Sequence, residues 1–190
     1  MTRATDKERD IAVRLITETF KENPSVNIVI GEGGNRSRKI SRLADYAFTK
    51  ALNRKGAFIS QNEKGVALCF RSDQGGTNLR EVLYEARFAL SIPLKNVIST
   101  LKRESYIKKN RIAEAHLYFW FLGVNREGGA AVFELKNHFF EWSASENIPI
   151  ILETSVLRNK TIYERYGFEV YHTWSNSGKG KTLWFMVRKP

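Results

Sequence analysis

The apolar positions of this chain recur with a period that changes from segment to segment, and the changes mark its elements. Thr5-Asp6-Lys7-Glu8 has the form of a capping box. It precedes apolar residues at Ile11, Ala12, Leu15, Ile16 and Phe20, whose spacing predicts one buried face of a helix. Asn23-Pro24 predicts the end of that helix, because the residue before a proline is pushed out of the helical region. Val26 to Ile30 is a short apolar run, followed by a turn at Gly31, Gly33 and Gly34. Ile40, Leu43, Ala44, Ala47, Phe48 and Ala51 predict a second helix that stops near Gly56, with Arg36, Arg38, Lys39 and Arg42 on its early face. Ala57-Phe58-Ile59 and Val66 to Phe70 flank Asn62-Glu63-Lys64-Gly65, the pattern of a β-hairpin. The stretch from Leu79 to Ile112 is helical in spacing and broken at Pro93.

From there the pattern changes. His116 to Val124 predicts an apolar, aromatic strand, and residues 126–145 a helix with Val132, Leu135, Phe139 and Trp142 on one face. Ile148 to Thr154 reads as a buried strand, and Asn159 to Tyr166 as a short helix ended by Gly167. Phe168 to Trp174 and Thr182 to Val187 are two final strands joined by a Ser/Gly/Lys turn at 175–181. This order predicts a mixed α/β sheet in a single domain spanning 1–190, with no repeat and no linker.

Composition narrows the function classes. At 190 residues, 42% apolar and 27% charged, the chain is long enough for one full core and reads as soluble. A formal charge of +11 attracts polyanions, nucleic acid and phosphate-rich coenzymes alike. No nucleic-acid-reading motif accompanies the basic runs at 36–42 and 102–111, so they are expected to be solvated helix faces and any nucleic-acid binding to be unspecific. Cys69 is the one cysteine and sits in an apolar run, which predicts a buried, inert thiol and no disulfide. Residues 1–10 carry no apolar leader and no stretch reaches the length of a membrane span. The expectation is a cytoplasmic monomer or homodimer with no membrane partner. The three His and one Cys lack metal-ligand spacing, so no metal is expected.

The most informative segment runs Leu122-Gly123-Val124-Asn125-Arg126-Glu127-Gly128-Gly129-Ala130-Ala131. A strand feeds a Gly-rich turn and then a helix. Free N–H groups at a helix start, aided by the helix dipole, suit a phosphate group, and Arg126 adds a fixed charge. A plain turn that uses glycine to bend fits the same residues. Glu153 stands in an apolar strand, where a carboxylate needs a reason. It is a candidate general base or amine anchor, or else the structural partner of an arginine. His116 could serve as a base, although a surface histidine is the plainer reading; His138 and His172 read as bystanders. Tyr163 is either a proton donor or a packed ring.

The C-terminal half resembles the GNAT acetyltransferases. That family has a Leu-x-Val strand, a Gln/Arg-x-x-Gly-x-Gly/Ala loop, a long helix, a hydrophobic strand and an Asn…Tyr-x-x-x-Gly-Phe element. This chain shows Leu122-x-Val124, Arg126-x-x-Gly129-x-Ala131, Ile150 to Thr154, and Asn159 followed by Tyr163-x-x-x-Gly167-Phe168. The resemblance implies a GNAT (acyl-CoA N-acyltransferase) fold, a mixed, mostly antiparallel sheet flanked by helices. It implies a co-substrate, acetyl-CoA, held by 116–174, with the N-terminal helices and hairpin on the acceptor side. The backbone of Leu122, Gly123 and Val124 would pair with the pantetheine arm. The N–H groups from Glu127 through Gly128, Gly129 and Ala130 to Ala131 would hold the pyrophosphate, with Arg126 beside them. Asn159 would touch the cofactor's arm, and Tyr163 would protonate the leaving thiolate.

The activity implied is N-acetylation of a primary amine on a small molecule or a protein. Val26 to Glu32, Tyr84, Phe88, Tyr118 and Trp120 are candidate walls of the acceptor site. One departure keeps a second reading open. Only Asn125 separates Val124 from Arg126, where the family has several residues. A shortened loop fits weaker coenzyme binding, or a CoA-fold protein that no longer catalyses.

Overall fold

The computed structural model describes residues 1–175 and 181–190. Its frame is a seven-stranded sheet with the strand order β1-β2-β3-β4-β5-β7-β6. The strands are β1 (Thr2–Arg3), β2 (Ala57–Ile59), β3 (Gly65–Arg71), β4 (Leu117–Val124), β5 (Ile150–Thr154), β6 (Glu169–Trp174) and β7 (Leu183–Arg188). Every neighbouring pair is antiparallel except β4 and β5, which run parallel. The mixed sheet expected from the pattern is therefore present, and it is mostly antiparallel as the resemblance implies. The short edge strand β1 was not predicted, and the turn expected at 175–181 lies largely outside the described residues.

Among the described residues seven α-helices flank the sheet: α1 (Arg9–Thr19), α2 (Pro24–Ile30), α3 (Arg36–Asn53), α4 (Leu79–Ala89), α5 (Leu94–Lys109), α6 (Gly129–Glu146) and α7 (Leu157–Arg165). The capping box forms as expected. The Thr5 N–H donates to Glu8 at 2.7 Å, and a single 3-10 turn leads into α1. Asn23-Pro24 does more than end a helix. The Asn23 side chain accepts from the N–H groups of Ser25 and Val26, and Pro24 fills the first turn, where no N–H is needed. The run 26–30 is thus helical.

The basic run at 36–42 is only partly solvated. Lys39 is buried and its Nζ donates to the carbonyls of Ile30, Glu32 and Gly33, closing the C-terminal end of α2 and the turn after it. In the second run Arg103 is buried and Arg111 is ion-paired, so these expectations of free surface charge fail at three positions.

One apolar layer lies between the sheet and α1 and α3, centred on Ile16, Phe48, Leu68 and Phe121. The other lies under α6, centred on Leu117, Leu135, Phe139 and Ile150. Cys69 is fully buried in the second layer and burial raises its thiol pKa, as an inert thiol requires.

Candidate functional site

The site begins where the sheet stops being a sheet. β4 pairs with β3 from Leu117 to Val124, but with β5 only at Leu117↔Ile150 and Tyr118↔Ile151. Beyond those two pairs the facing edges of β4 and β5 have no strand partner among the described residues, and a wedge opens between them. A β-bulge sharpens its geometry. Leu68 faces Phe121 and Cys69 faces Phe119, so Trp120 is the extra residue. The bulge turns both Trp120 and Phe121 toward the α1/α3 layer, while Phe119, Leu122 and Val124 face α6.

Two cavities, of about 290 and 330 Å³, open on the two faces of the sheet. Both are lined by Phe119 and Leu122 of β4, Leu152 of β5, Asn159 and Tyr163 of α7, and Phe20 and Asn23 after α1. They meet in the wedge. The α6-side cavity adds Val124, Val132, Lys136 and Phe140. The other adds Val26 and Val29 of α2, Tyr46 and Lys50 of α3, Phe88, Tyr118, Trp120 and Glu153. Of the expected wall residues, Tyr84 is not among its lining, and of the run Val26 to Glu32 only Val26 and Val29 are.

At the top of β4 the chain turns through the Gly-rich segment. The Asn125 N–H donates to the Lys64 carbonyl at 2.9 Å, and the Asn125 side chain accepts from the Glu127 N–H. The N–H groups of Gly128 and Ala131 are also used, bonding to Asn125 and Gly128. Among the described residues those of Arg126, Gly129 and Ala130 have no partner, as the start of a helix leaves them. Arg126 is exposed and forms no ion pair, whereas Glu127 is held by Lys64 at 3.1 Å. The two loop glycines differ. A Cβ on Gly128 would lie 2.9 Å from the Lys64 carbonyl oxygen, so packing requires that glycine. A Cβ on Gly129 would meet nothing within 4 Å, which leaves the helix start open to a ligand. Unpaired N–H groups, an unpaired guanidinium and open space fit a pyrophosphate, with fewer donors than the expectation of Glu127 to Ala131 supplied.

Gly123 has a structural use as well. A Cβ there would stand 2.6 Å from Thr19 Oγ1, so the glycine lets α1 lie against β4. Leu122 faces both cavities and Val124 the α6-side one.

Glu153 sits at the root of the wedge, two residues past the last β4–β5 pair. Its Oε2 accepts from the Tyr118 hydroxyl at 2.8 Å and its Oε1 from Arg111 Nε at 3.1 Å. The Arg111 guanidinium also lies 3.6 Å from the centre of the Tyr118 ring. Burial raises the Glu153 pKa, and the Arg111 charge with the two hydrogen bonds opposes that rise. Both carboxylate oxygens are therefore engaged, as in the arginine-partner reading, while the side chain still borders the cavity on the α2/α3 side.

Tyr163 is half-buried where the cavities meet, packs against Phe168, and its hydroxyl has no hydrogen-bond partner among the described residues. Burial pushes its phenol up to about 12, so it is protonated at neutral pH. His116 is buried, not on the surface as expected. Its ring Nδ1 lies 2.7 Å from the Glu114 carbonyl, and neither cavity includes it.

Sequence reasoning missed Phe20, Asn23, Lys50 and Lys136. Asn23 carried a signal, as a cap before proline, but it was read as a stop. Lys50 is half-buried under Trp120 and Tyr46, and burial lowers its pKa. Nothing in its own sequence context distinguishes it from a surface lysine.

No protein-family model matches the sequence, nor does any curated protein. Solved structures do. The chain is similar over its whole length to histone acetyltransferase HPA2 and related acetyltransferase from Corynebacterium glutamicum, at 18% identity, 94% coverage of that chain and a TM-score of 0.69. It is similar to arylalkylamine N-acetyltransferase 2 from Aedes aegypti, at 14% identity and a TM-score of 0.64, with 99% of this chain and 97% of that one covered. It is also similar to a Drosophila melanogaster polyamine N-acetyltransferase that forms N-acetylagmatine, at 12% identity and a TM-score of 0.63, covering 99% and 98%. At these identities the likeness establishes the fold, which is the GNAT fold.

Proposed function

We propose that this protein is an N-acetyltransferase that moves an acetyl group from acetyl-CoA to a primary amine of a small molecule or a protein. The observation that carries the reading is the wedge between β4 and β5, which joins two cavities across the sheet and holds the Tyr163 hydroxyl, without a partner, at their junction. A thioester reaching the junction from the α6 side would meet an amine arriving from the other.

In this reading acetyl-CoA supplies the activated acetyl group. Arg126 and the free N–H groups of Gly129 and Ala130 hold its pyrophosphate. The unpaired β4 edge beyond Tyr118 offers backbone groups to its arm in the manner of an added strand. Asn159 lines both cavities and positions that arm. Tyr163 keeps its proton at neutral pH and donates it to the departing thiolate. Glu153 is the candidate for holding the acceptor's ammonium or taking its proton. Burial raises its proton affinity and favours the second role, while the Arg111 charge opposes that rise and favours the ionised form the first role needs. The acceptor-side walls are mostly apolar, with Phe20, Val29, Phe88 and Trp120 among them, so an amine with an apolar body suits the space.

The test is thiol release from acetyl-CoA in a panel of amines, amino acids, polyamines and peptides, paired with a thermal shift on adding acetyl-CoA. Release with at least one amine supports the reading. A thermal shift with no release under any amine would leave a CoA-binding protein without catalysis, and no shift at all would remove the coenzyme.

A further inference from the structure

The surface of α4 and α5 carries apolar residues that nothing among the described residues covers. On α4, Leu79, Val82, Leu83, Ala86 and Leu90 lie opposite the buried Glu81 and Phe88, and Leu79 and Leu90 are 85% and 86% exposed. On α5, Leu94, Ile98 and Leu101 lie opposite the buried Arg103 and Ile107, and Leu94 is 74% exposed. Each stripe follows helical spacing. Each is bordered by cations one position on: Arg80 after Leu79, Arg87 after Ala86, Lys95 after Leu94, Lys102 after Leu101. One position is 100° of rotation, so on each helix the cations sit along one flank of its stripe. Residues 79–109 hold seven Lys and Arg against three Glu. Arg80 pairs with Asp6, but Arg87, Lys95, Lys102 and Lys109 form no ion pair among the described residues.

We infer that this α4–α5 face docks onto an anionic lipid surface. Its chemistry is that of a helix lying in a membrane interface, with long aliphatic side chains on one stripe and lysines and arginines beside it. Protein-binding patches are enriched in Tyr, Trp, Phe and Met and poor in Lys, whereas these stripes contain no aromatic residue and border on Lys. A second copy of the chain would bring the same rows of cations against each other. The surface needs no spanning segment, and no helix among the described residues is long and apolar enough to cross a membrane. The expectation of no membrane partner rested on span length alone.

The face is continuous with the site. Leu101 is 60% exposed on the stripe and also lines the acceptor-side cavity, with Ala89, Glu104 and Lys108. Docking would set the mouth of that cavity at the lipid–water boundary. The inference does not depend on acetyl transfer and its test does not measure it.

The full chain is sedimented with vesicles of phosphatidylcholine alone and of phosphatidylcholine with phosphatidylglycerol, at low and raised salt. The expected result is binding to the anionic vesicles, weakened by salt, and little to the neutral ones. Lys95→Glu with Lys102→Glu, exposed positions outside both cavities, should weaken binding roughly tenfold or more with an unchanged melting midpoint. Leu90→Asp with Leu94→Asp should do the same by removing the apolar anchor. Equal binding to both vesicles, or binding untouched by either double variant, would overturn the inference. So would absence of vesicle binding: with self-association lost in the Leu90/Leu94 variant, the face joins two copies; with a monomer, it awaits an acidic protein.

Discussion

β4 is hydrogen-bonded to β3 along its whole length and to β5 at two positions only, so one strand has a closed side and an open side. The closed side is built from contacts that leave no room. Gly123 admits α1, Gly128 admits the Lys64 carbonyl, and Tyr118 and Trp120 of β4 pack edge to face on Phe70 of β3. The open side has two cavities and a row of backbone groups without strand partners among the described residues. The contrast teaches that the site is a defect in pairing, placed at the one parallel pair among the described strands. Parallel pairing is slightly weaker per residue than antiparallel. It is pinned here at its root by the Tyr118–Glu153–Arg111 cluster.

The largest expected effect comes from breaking that root. Glu153→Ala removes the carboxylate that bridges Tyr118 of β4 to β5 and leaves Arg111 as a largely buried charge. Loss of one partner of such a pair costs roughly 3–5 kcal/mol, read as a fall in the chemical or thermal midpoint. A variant as stable as the parent would mean that the wedge is not held at this point. Next in size, Tyr163→Phe acts on the open side without touching the root. Turnover should fall by roughly 10²-fold at nearly unchanged acetyl-CoA affinity, since the ring stays and only the hydroxyl goes. Unchanged turnover would make Tyr163 a packing residue.

The two sides were unequally legible in the sequence. The strand and helix order from His116 onward was readable because apolar runs and Gly breaks punctuate it, and the run 122–131 could be placed at a strand-to-helix turn. The pairing register was not readable, so neither the wedge nor the bulge at Trp120 could be foreseen; both depend on which residues of distant strands face each other. Glu153 stood out as a carboxylate in an apolar strand. Its partner Arg111, 42 residues away in sequence, looked like one more charge in a basic run. Lys39 hid in the same way, because burial of a lysine by three carbonyls depends on a turn between two helices. His116 was misjudged because the strand's N-terminal end is covered by elements the local pattern does not reveal.

Two further substitutions set the sides against each other. Gly123→Val drives a side chain into Thr19 and the α1 backbone and should cost roughly 1–3 kcal/mol of stability, as overpacking does. If stability is unchanged, α1 does not press on β4. Arg126→Ala should leave stability alone, since the side chain is exposed and unpaired. It should weaken CoA binding roughly ten- to a hundred-fold, the worth of one charge-assisted contact. That loss should shrink for pantetheine fragments without the pyrophosphate. Equal affinity in titration calorimetry would move the phosphate site elsewhere.

The smallest effect is a pH dependence at the closed end, where β4 begins. His116 is buried, its backbone N–H is held by Ser72 Oγ at 3.1 Å, and burial lowers its pKa below the ordinary value of 6.5. The nearby Arg111 charge lowers it further, and the Glu114 carbonyl only partly offsets this. The folded state therefore takes up the His116 proton less readily than the unfolded state does. Stability from the neutral ring is fully present above pH 6.5 and declines as pH falls through and below it toward the folded value. Melting midpoints measured from pH 7.5 to about pH 5, a window set by histidine and above the carboxylates, should fall with acid. His116→Gln should reduce the slope without abolishing it, because burial lowers the pKa of His138 as well. Tyr163 should not respond in that window, since burial pushes its phenol up to about 12. If His116→Gln leaves the slope unchanged, the ring is not buried in its neutral form at the start of β4.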